Sequence, residues 1–230
     1  MIDQSEFITL STLSNATEFN TERTHFSAQK RIDSILKTSF DFILSLAGVI
    51  LLSPIMLALA VIVKVDSRGP IIHRRRVMGQ GGSQFDAFKF RTMHINGEQI
   101  LDAYPDLKLQ LERDHKLEID PRITNCGKWM RKLSLDELPQ LFNVVLGQMS
   151  LVGPRMISPK EVSRYGEFAR ELFTVKPGIT GLWQVSGRSN LNPSDRVRLD
   201  LQFVRTRNIL LDIKLLLKTL PAVLFGRGAY

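Results

Sequence analysis

Two adjacent carboxylates, Asp136 and Glu137, open an apolar run, Leu138-Pro139-Gln140-Leu141-Phe142-Asn143. A carboxylate so placed can bind a divalent metal. It can also attack a phosphorus centre, forming an acyl phosphate that splits a difficult transfer into two easier steps. The same residues fit helix capping. Ser134 with Glu137 has the spacing of a capping box, and Asp136 as N-cap would keep Pro139 within the tolerant first turn. Both readings stand on these residues alone. Downstream, Leu151-Val152-Gly153-Pro154-Arg155 and a segment from Lys176-Pro177-Gly178 through Trp183 to Gly187-Arg188 combine glycine, proline and arginine. Glycine lets backbone approach a ligand closely, and arginine offers a planar fork to phosphate oxygens. Taken singly, these are also ordinary turns with solvated arginines, and Trp183 either stacks on a base or fills a core. Upstream, an extended FKFRT segment puts Lys89 and Arg91 on one face and Phe88 and Phe90 on the other. That pattern suits an anionic ligand or a solvated edge strand.

The elements that must position these residues are partly legible. Ile71-Ile72 and residues 85–91 flank a turn-rich stretch, Met78-Gly79-Gln80-Gly81-Gly82-Ser83, which predicts a small β-hairpin. Residues 97–117 are charged and helical in pattern, with Pro105 interrupting. Residues 159–173 place Val162, Tyr165, Phe168, Ala169, Leu172 and Phe173 at helical spacing. Residues 209–225 read as an amphipathic helix whose lysines can snorkel while its apolar side rests in a lipid interface or on the core.

The dominant element is an uncharged stretch of 22 residues, 42–63. As a helix it is about 33 Å long, enough to cross a bilayer core of about 30 Å. Ser53-Pro54 sits at its middle. Proline deprives the Ile50 carbonyl of its partner, and the Ser53 hydroxyl can bond back to the Val49 carbonyl. Cations lie on both sides: Lys30, Arg31 and Lys37 before, and Lys64, Arg68, Arg74, Arg75 and Arg76 after. The positive-inside rule places both flanks in the cytoplasm. A helix that breaks at Pro54, dips in and returns satisfies it. A kinked span is the other geometry these residues allow.

The chain has 230 residues and one cysteine, Cys126, which excludes a disulfide-rich secreted scaffold. Four scattered histidines (His25, His73, His94, His115) offer no zinc-site spacing. The net charge of +8 points to acidic partners: nucleic acid, an anionic membrane surface or phosphorylated substrates. It is unevenly placed. Residues 1–29 carry Asp3, Glu6, Glu18 and Glu22 against Arg23, so the remainder carries +11. That segment, rich in Ser, Thr and Asn, reads as a disordered polar tail and not a signal peptide. The expected organisation is this tail, a re-entrant membrane helix with its flanks over 30–68, and a cytoplasmic catalytic domain over 69–230. The fold class is a membrane-associated α/β (α+β) domain with amphipathic interfacial helices.

Over residues 37–230 the chain resembles the bacterial sugar transferases of the monotopic phosphoglycosyl transferase family. The resemblance rests on Phe40-Asp41-Phe42, the apolar run with Ser53-Pro54, Gly69-Pro70 and Phe88-Lys89-Phe90-Arg91-Thr92-Met93. It continues through Ser134–Val144 by way of Asp136-Glu137, Ser150-Leu151-Val152-Gly153-Pro154-Arg155, Pro177-Gly178-Ile179-Thr180-Gly181, Gly187-Arg188 and the terminal Gly228-Ala229-Tyr230. It implies transfer of a sugar-1-phosphate from a UDP-sugar to undecaprenyl phosphate, with release of UMP and a requirement for Mg²⁺. It implies Asp136 as nucleophile and metal-bound residue, Glu137 beside it, and Arg155 and Arg188 at phosphate and nucleotide, with Lys89 and Arg91 on a basic strand. It also implies a re-entrant helix broken at Ser53 and Pro54, on the cytoplasmic face of the bacterial inner membrane. Anionic lipids are expected partners, nucleic acid is not, and a homo-oligomer is allowed. The reading from another class is a membrane-anchored basic binding or scaffold protein without catalysis.

Overall fold

The computed structural model describes residues 4–114, 117, 119–187 and 191–224, with side chains treated from residue 33 onward apart from a few within helices. Arg188 and the terminal Gly228-Ala229-Tyr230 lie outside the described residues. The chain forms two compact units, Met1–Phe40 and Asp41–Tyr230. Helix α1 runs Gln4–Asp66, so its helical backbone begins inside the segment whose composition reads as a tail.

The second unit contains every chemical motif. A hairpin of β1 (Ile72–Met78) and β2 (Gln84–Phe90) pairs antiparallel with Ile72 opposite Phe90 and Met78 opposite Gln84. Its turn places Gly81 and Gly82 at φ of 69° and 77°, a region glycine enters without a Cβ clash. Two short helices follow, α2 (Gly97–Asp102) and α3 (Pro105–Asp114), with Pro105 opening the second as its fixed φ allows. Next come α4 (Asn125–Lys132), α5 (Gln140–Val145), β3 (Ser150–Val152) and α6 (Ala169–Leu172). The chain closes with β4 (Gly178–Thr180), α7 (Leu182–Ser186), α8 (Pro193–Thr206) and α9 (Ile209–Leu224). Strands β3 and β4 pair in parallel, Ser150 with Gly178 and Val152 with Thr180. The mixed helix and small-sheet composition fits the α/β part of the expected fold class.

Alternation decides the hairpin's buried face. Val77, Phe85 and Ala87 pack with Val144, Met149, Leu151, Val152, Met156, Phe203 and Leu215 in one core. A second core joins Met56, Leu59 and Val63 of α1 to Phe90, Cys126 and Met130, with Leu135 and Leu138 against it. The apolar helix is thus packed directly on the segment that carries Asp136 and Glu137.

Helix α1 touches this unit at both ends of its apolar segment. Buried Asp41 accepts a hydrogen bond from the Leu151 amide at 3.2 Å. At the other end, the Arg91 guanidinium donates to the carbonyls of Val63 (3.0 Å) and Ser67 (2.6 Å) and to the Ser67 hydroxyl. Between them Ser45, Met56, Leu59 and Val63 are buried on one stripe. Apolar side chains off that stripe, such as Leu51 at 76% exposure and Leu57 at 69%, face outward. Ser53 and Pro54 do not end the helix, which is continuous through both. The Ser53 hydroxyl donates at 2.8 Å to the Ile50 carbonyl, not to Val49. The reason is local: Ile50 is the carbonyl that Pro54 leaves without a donor.

Candidate active site

The carboxylate pair sits on a single 3₁₀ turn, Leu135–Glu137, between α4 and α5. Ser134 precedes it in the left-handed region, at φ 56° and ψ 22°, and makes no side-chain cap. A non-glycine residue there costs roughly 1–3 kcal/mol. The capping reading is therefore not what the fold uses. Pro139 occupies the N-cap position of α5, and the Glu137 side chain turns to Lys89 and Arg155 instead of reaching back to Ser134.

Glu137 is instead saturated by cations. Lys89, near the end of β2, donates to its Oε1 at 2.7 Å. Arg155, just past β3, forms a fork: Nη1 donates to Oε2 at 2.8 Å, and Nη2 donates to Oε1. Burial alone would raise the Glu137 pKa. The charges of Arg155 and Lys89 outweigh it and hold this carboxyl well below the usual carboxylate range. Burial likewise works against the Arg155 charge, and Glu137 reverses that, raising its pKa.

Asp136 is in the opposite situation. It is buried, its nearest cation is Lys89 Nζ at 3.9 Å, and among the described residues it accepts no hydrogen bond. Burial raises its pKa; Lys89 opposes this and the neighbouring Glu137 adds to it. The pair thus holds one carboxylate locked into an ion-pair network and one left available. Both line an open cleft of about 1860 Å³, together with Lys89, Arg155 and Trp183. Leu44 and Leu52 of α1 and Leu216 of α9 form part of the same wall.

The four remaining site expectations divide. Lys89 and Arg155 are at the carboxylate pair. Arg91 lines the cleft, but its hydrogen bonds go to the last turn of α1, where a cation also meets the negative end of the helix dipole. Arg188 lies outside the described residues. Among the described residues no cluster of three metal-ligating side chains occurs. An Asp136 carboxylate that accepts no hydrogen bond among the described residues fits an Mg²⁺ ion that takes one protein carboxylate and completes its shell with phosphate oxygens and water.

Sequence reasoning passed over Arg131. It lines the cleft from the end of α4, its Nε donates to Thr92 Oγ1 at 2.9 Å, and its charge acts on Asp136. In sequence it stands in an Arg-Lys pair closing a polar helix, which reads as solvated surface. Two supports for Arg155 were also hidden. The Arg155 amide donates to Asp200 Oδ1 at 3.2 Å, and the Tyr165 hydroxyl donates to Asp200 Oδ2 at 2.8 Å. Burial raises the pKa of Asp200 to about 7. The glycines of the two Gly-Pro motifs serve each other. A Cβ on Gly178 would lie 2.1 Å from the Gly153 nitrogen, and one on Gly181 would lie 2.2 Å from the Gly153 oxygen. These residues bring two backbones together so that Arg155 bridges to Gly178 beside the sheet. The expected close approach is thus of backbone to backbone.

The sequence model described as bacterial sugar transferase matches residues 32–226. The chain is 40% identical to the exopolysaccharide production protein ExoY of Sinorhizobium fredii, covering 88% of this chain and 92% of that one. It is 43% identical to the undecaprenyl-phosphate galactose phosphotransferase of Salmonella typhimurium, over 87% of this chain and 43% of that protein. It is 38% identical to the undecaprenyl-phosphate glucose phosphotransferase of Komagataeibacter xylinus, over 86% of this chain and 37% of that protein. The chain thus spans less than half the length of these last two relatives and nearly all of ExoY.

Proposed function

Because the chain belongs to the bacterial sugar transferase family and is a transferase by that kinship, we propose that it moves a sugar-1-phosphate from a UDP-sugar to undecaprenyl phosphate and releases UMP. The observation that carries this reading is the asymmetry of the carboxylate pair: Glu137 is hydrogen-bonded by Lys89 and Arg155, while Asp136 is buried, accepts no hydrogen bond among the described residues and has only the Lys89 ammonium at 3.9 Å within ion-pair range. A buried carboxylate with no hydrogen bond opposes folding even with a cation 3.9 Å away, and a scaffold protein has no use for one. A nucleophile does.

Asp136 attacks the β-phosphorus of the donor. A bond forms between its carboxylate oxygen and phosphorus, the bridging P–O bond breaks, and the electron pair leaves on UMP. A phosphate oxygen of the lipid then attacks the phosphosugar-aspartyl intermediate and regenerates Asp136. Lys89 and Arg155 hold positive charge beside the reacting phosphorus, and Glu137 fixes where those cations stand. Arg131 adds a third cation to the same wall. Asp136 would also hold Mg²⁺, which supplies charge neutralisation to a bound diphosphate.

The placement of α1 supports a monotopic, re-entrant attachment on the cytoplasmic face. Asp41 and Arg91 tie opposite ends of the apolar segment to one domain, and a polar domain cannot sit on both sides of a bilayer. Outward-facing apolar residues of α1 meet lipid, as do Leu210 (76% exposed) and Leu217 (63% exposed) of α9. The lipid phosphate then arrives at the height of the cleft.

The test is UMP release from a panel of UDP-sugars, dependent on undecaprenyl phosphate and Mg²⁺. An Asp136→Asn protein that folds, inserts and still turns over normally would remove the nucleophile assignment. Salt-sensitive binding of unselected DNA without turnover would favour the scaffold reading.

A further inference from the structure

One titratable group on the cleft wall has no part in the transfer described above: His73 of β1. Side chains alternate along a strand, so His73, Arg75 and Val77 share one face. Ile72 takes the opposite face and packs against the core that includes α1. In the hairpin register His73 stands directly across from Lys89, and such cross-strand neighbours hold their Cβ atoms about 4.5–5.5 Å apart. Lys89 in turn reaches Glu137 at 2.7 Å and Asp136 at 3.9 Å. The imidazole is thus one side chain away from the carboxylate pair. Among the described residues it makes no hydrogen bond. It is exposed to the cleft, yet the burial it has, together with the charges of Lys89, Arg75 and Arg131, pushes its pKa below the ordinary 6.5. Cations from β2, β1 and α4 therefore keep the ring neutral.

The acceptor half of the transfer needs somewhere to put a proton. A phosphate monoester keeps its second proton up to about pH 6, and an anionic leaflet concentrates protons at its surface. When a monoprotonated lipid phosphate becomes a diphosphate, that proton must leave. Neither carboxylate of the pair can take it. Asp136 is bonded to phosphorus at that stage, and Arg155 and Lys89 leave Glu137 little affinity for a proton. Glu98 and His94 also line the cleft, but they act on Arg122 and Asp66. His73 is the imidazole beside Lys89, and it lies toward the membrane segment. The nearby Ile71 carbonyl accepts from the Arg91 amide at 2.9 Å, and Arg91 clamps the end of α1. Resting on the transfer reaction proposed above, we infer that His73 is the general base of the acceptor step, taking the proton of the lipid phosphate as that phosphate attacks. An oxygen of the lipid phosphate bonds to the phosphorus of the phosphosugar. The bond from that phosphorus to the Asp136 oxygen breaks, its electron pair returns to Asp136, and the acceptor's proton moves to an imidazole nitrogen. The anionic diphosphate offsets the surrounding cations and so stabilises the imidazolium until product leaves.

The experiment separates the two halves of the reaction, using the full chain in detergent with Mg²⁺. Wild type is compared with His73→Gln, whose amide is polar but takes no proton. Exchange of labelled UMP into UDP-sugar without acceptor reads the donor half, and transfer to undecaprenyl phosphate reads the whole. A positioned general base is worth about 10²–10⁴ in rate. Near pH 6 the variant should lose transfer by about a hundredfold while UMP exchange is kept. Above about pH 8, where the acceptor arrives without its second proton, the deficit should shrink to a few-fold. Added imidazole should restore transfer to His73→Ala near pH 6. In the wild type, NMR titration of the His73 ring should show its pKa rising when undecaprenyl phosphate binds. A deficit that is equal at every pH, or exchange lost in parallel with transfer, overturns the assignment and leaves the reaction standing. So does a His73 pKa that the lipid phosphate does not move. Wild-type protein that neither exchanges UMP nor releases it from any UDP-sugar defeats the reaction itself, and this inference with it.

Discussion

Asp136 and Glu137 are neighbours with opposite electrostatics, so substitutions at the two should change stability in opposite senses. Glu137→Gln leaves Lys89 and Arg155 without their counter-charge, and breaking such a buried pair costs about 3–5 kcal/mol. Thermal unfolding should show a large drop in Tm. Asp136→Asn removes a buried charge that accepts no hydrogen bond and that burial disfavours, so its Tm should hold or rise while transfer falls by about a thousandfold or more. An equal loss of stability in both would contradict the asymmetry. Asp200 gives a pH-dependent case. Its native pKa of about 7 exceeds the ordinary 3.8. Between those values the folded protein keeps a proton that the unfolded chain has lost, so this group's contribution to stability falls as pH rises through that window. Asp200→Asn should flatten that part of the Tm–pH curve. A curve that keeps the same slope would place the titration elsewhere.

Two contacts between elements hold the site in place. The first is the close approach of the β3–Arg155 strand end to β4. Gly178→Ala would put a methyl 2.1 Å from the Gly153 nitrogen, and backbone cannot yield as a flexible side chain can. Displacing Arg155 by an ångström is worth about a hundredfold in rate, so kcat should fall by that order even where the protein still folds; an unchanged kcat would show that the strand pair is not what positions Arg155. The second is the Arg91 clamp on the end of α1. Arg91→Ala removes charge-assisted hydrogen bonds to Val63 and Ser67, worth about 1.5–3 kcal/mol each. Faster proteolysis of α1 from the domain, at unchanged affinity for UMP, is the expected result. Weaker UMP binding would instead return Arg91 to the phosphate site.

At the scale of the whole molecule, the apolar helix and the turn that carries Asp136 and Glu137 share one core through Leu135, Leu138, Val63 and Phe90. Membrane attachment and active-site geometry are therefore mechanically linked. Cysteines introduced as Ile35→Cys and Pro70→Cys, in a Cys126→Ser background, should both be labelled by an impermeant reagent from the cytoplasmic side alone. Labelling from opposite sides would replace re-entry by a span.

The amino-acid sequence determined what local pattern can encode. An uncharged stretch of 22 residues must find an apolar environment, Gly81-Gly82 make a hairpin turn, and Pro105 interrupts a helical stretch. The family resemblance also marked Asp136, Glu137, Lys89 and Arg155 as a group, where their residue types taken singly allowed a cap, an edge strand and an ordinary turn. Tertiary structure alone decided their roles. Which carboxylate is paired depends on Lys89 and Arg155 arriving from 48 and 18 residues away, and no spacing rule contains that. Arg91 was read as a phosphate ligand, yet its neighbour on the folded chain is the end of α1. The glycines near Arg155 looked ligand-facing, and packing turned them toward each other. Arg75, Arg164 and Arg196 are far apart in sequence, but folding closes them around one cavity. Desolvation and charge pairing belong to the assembled neighbourhood, and so they appear only when distant segments meet.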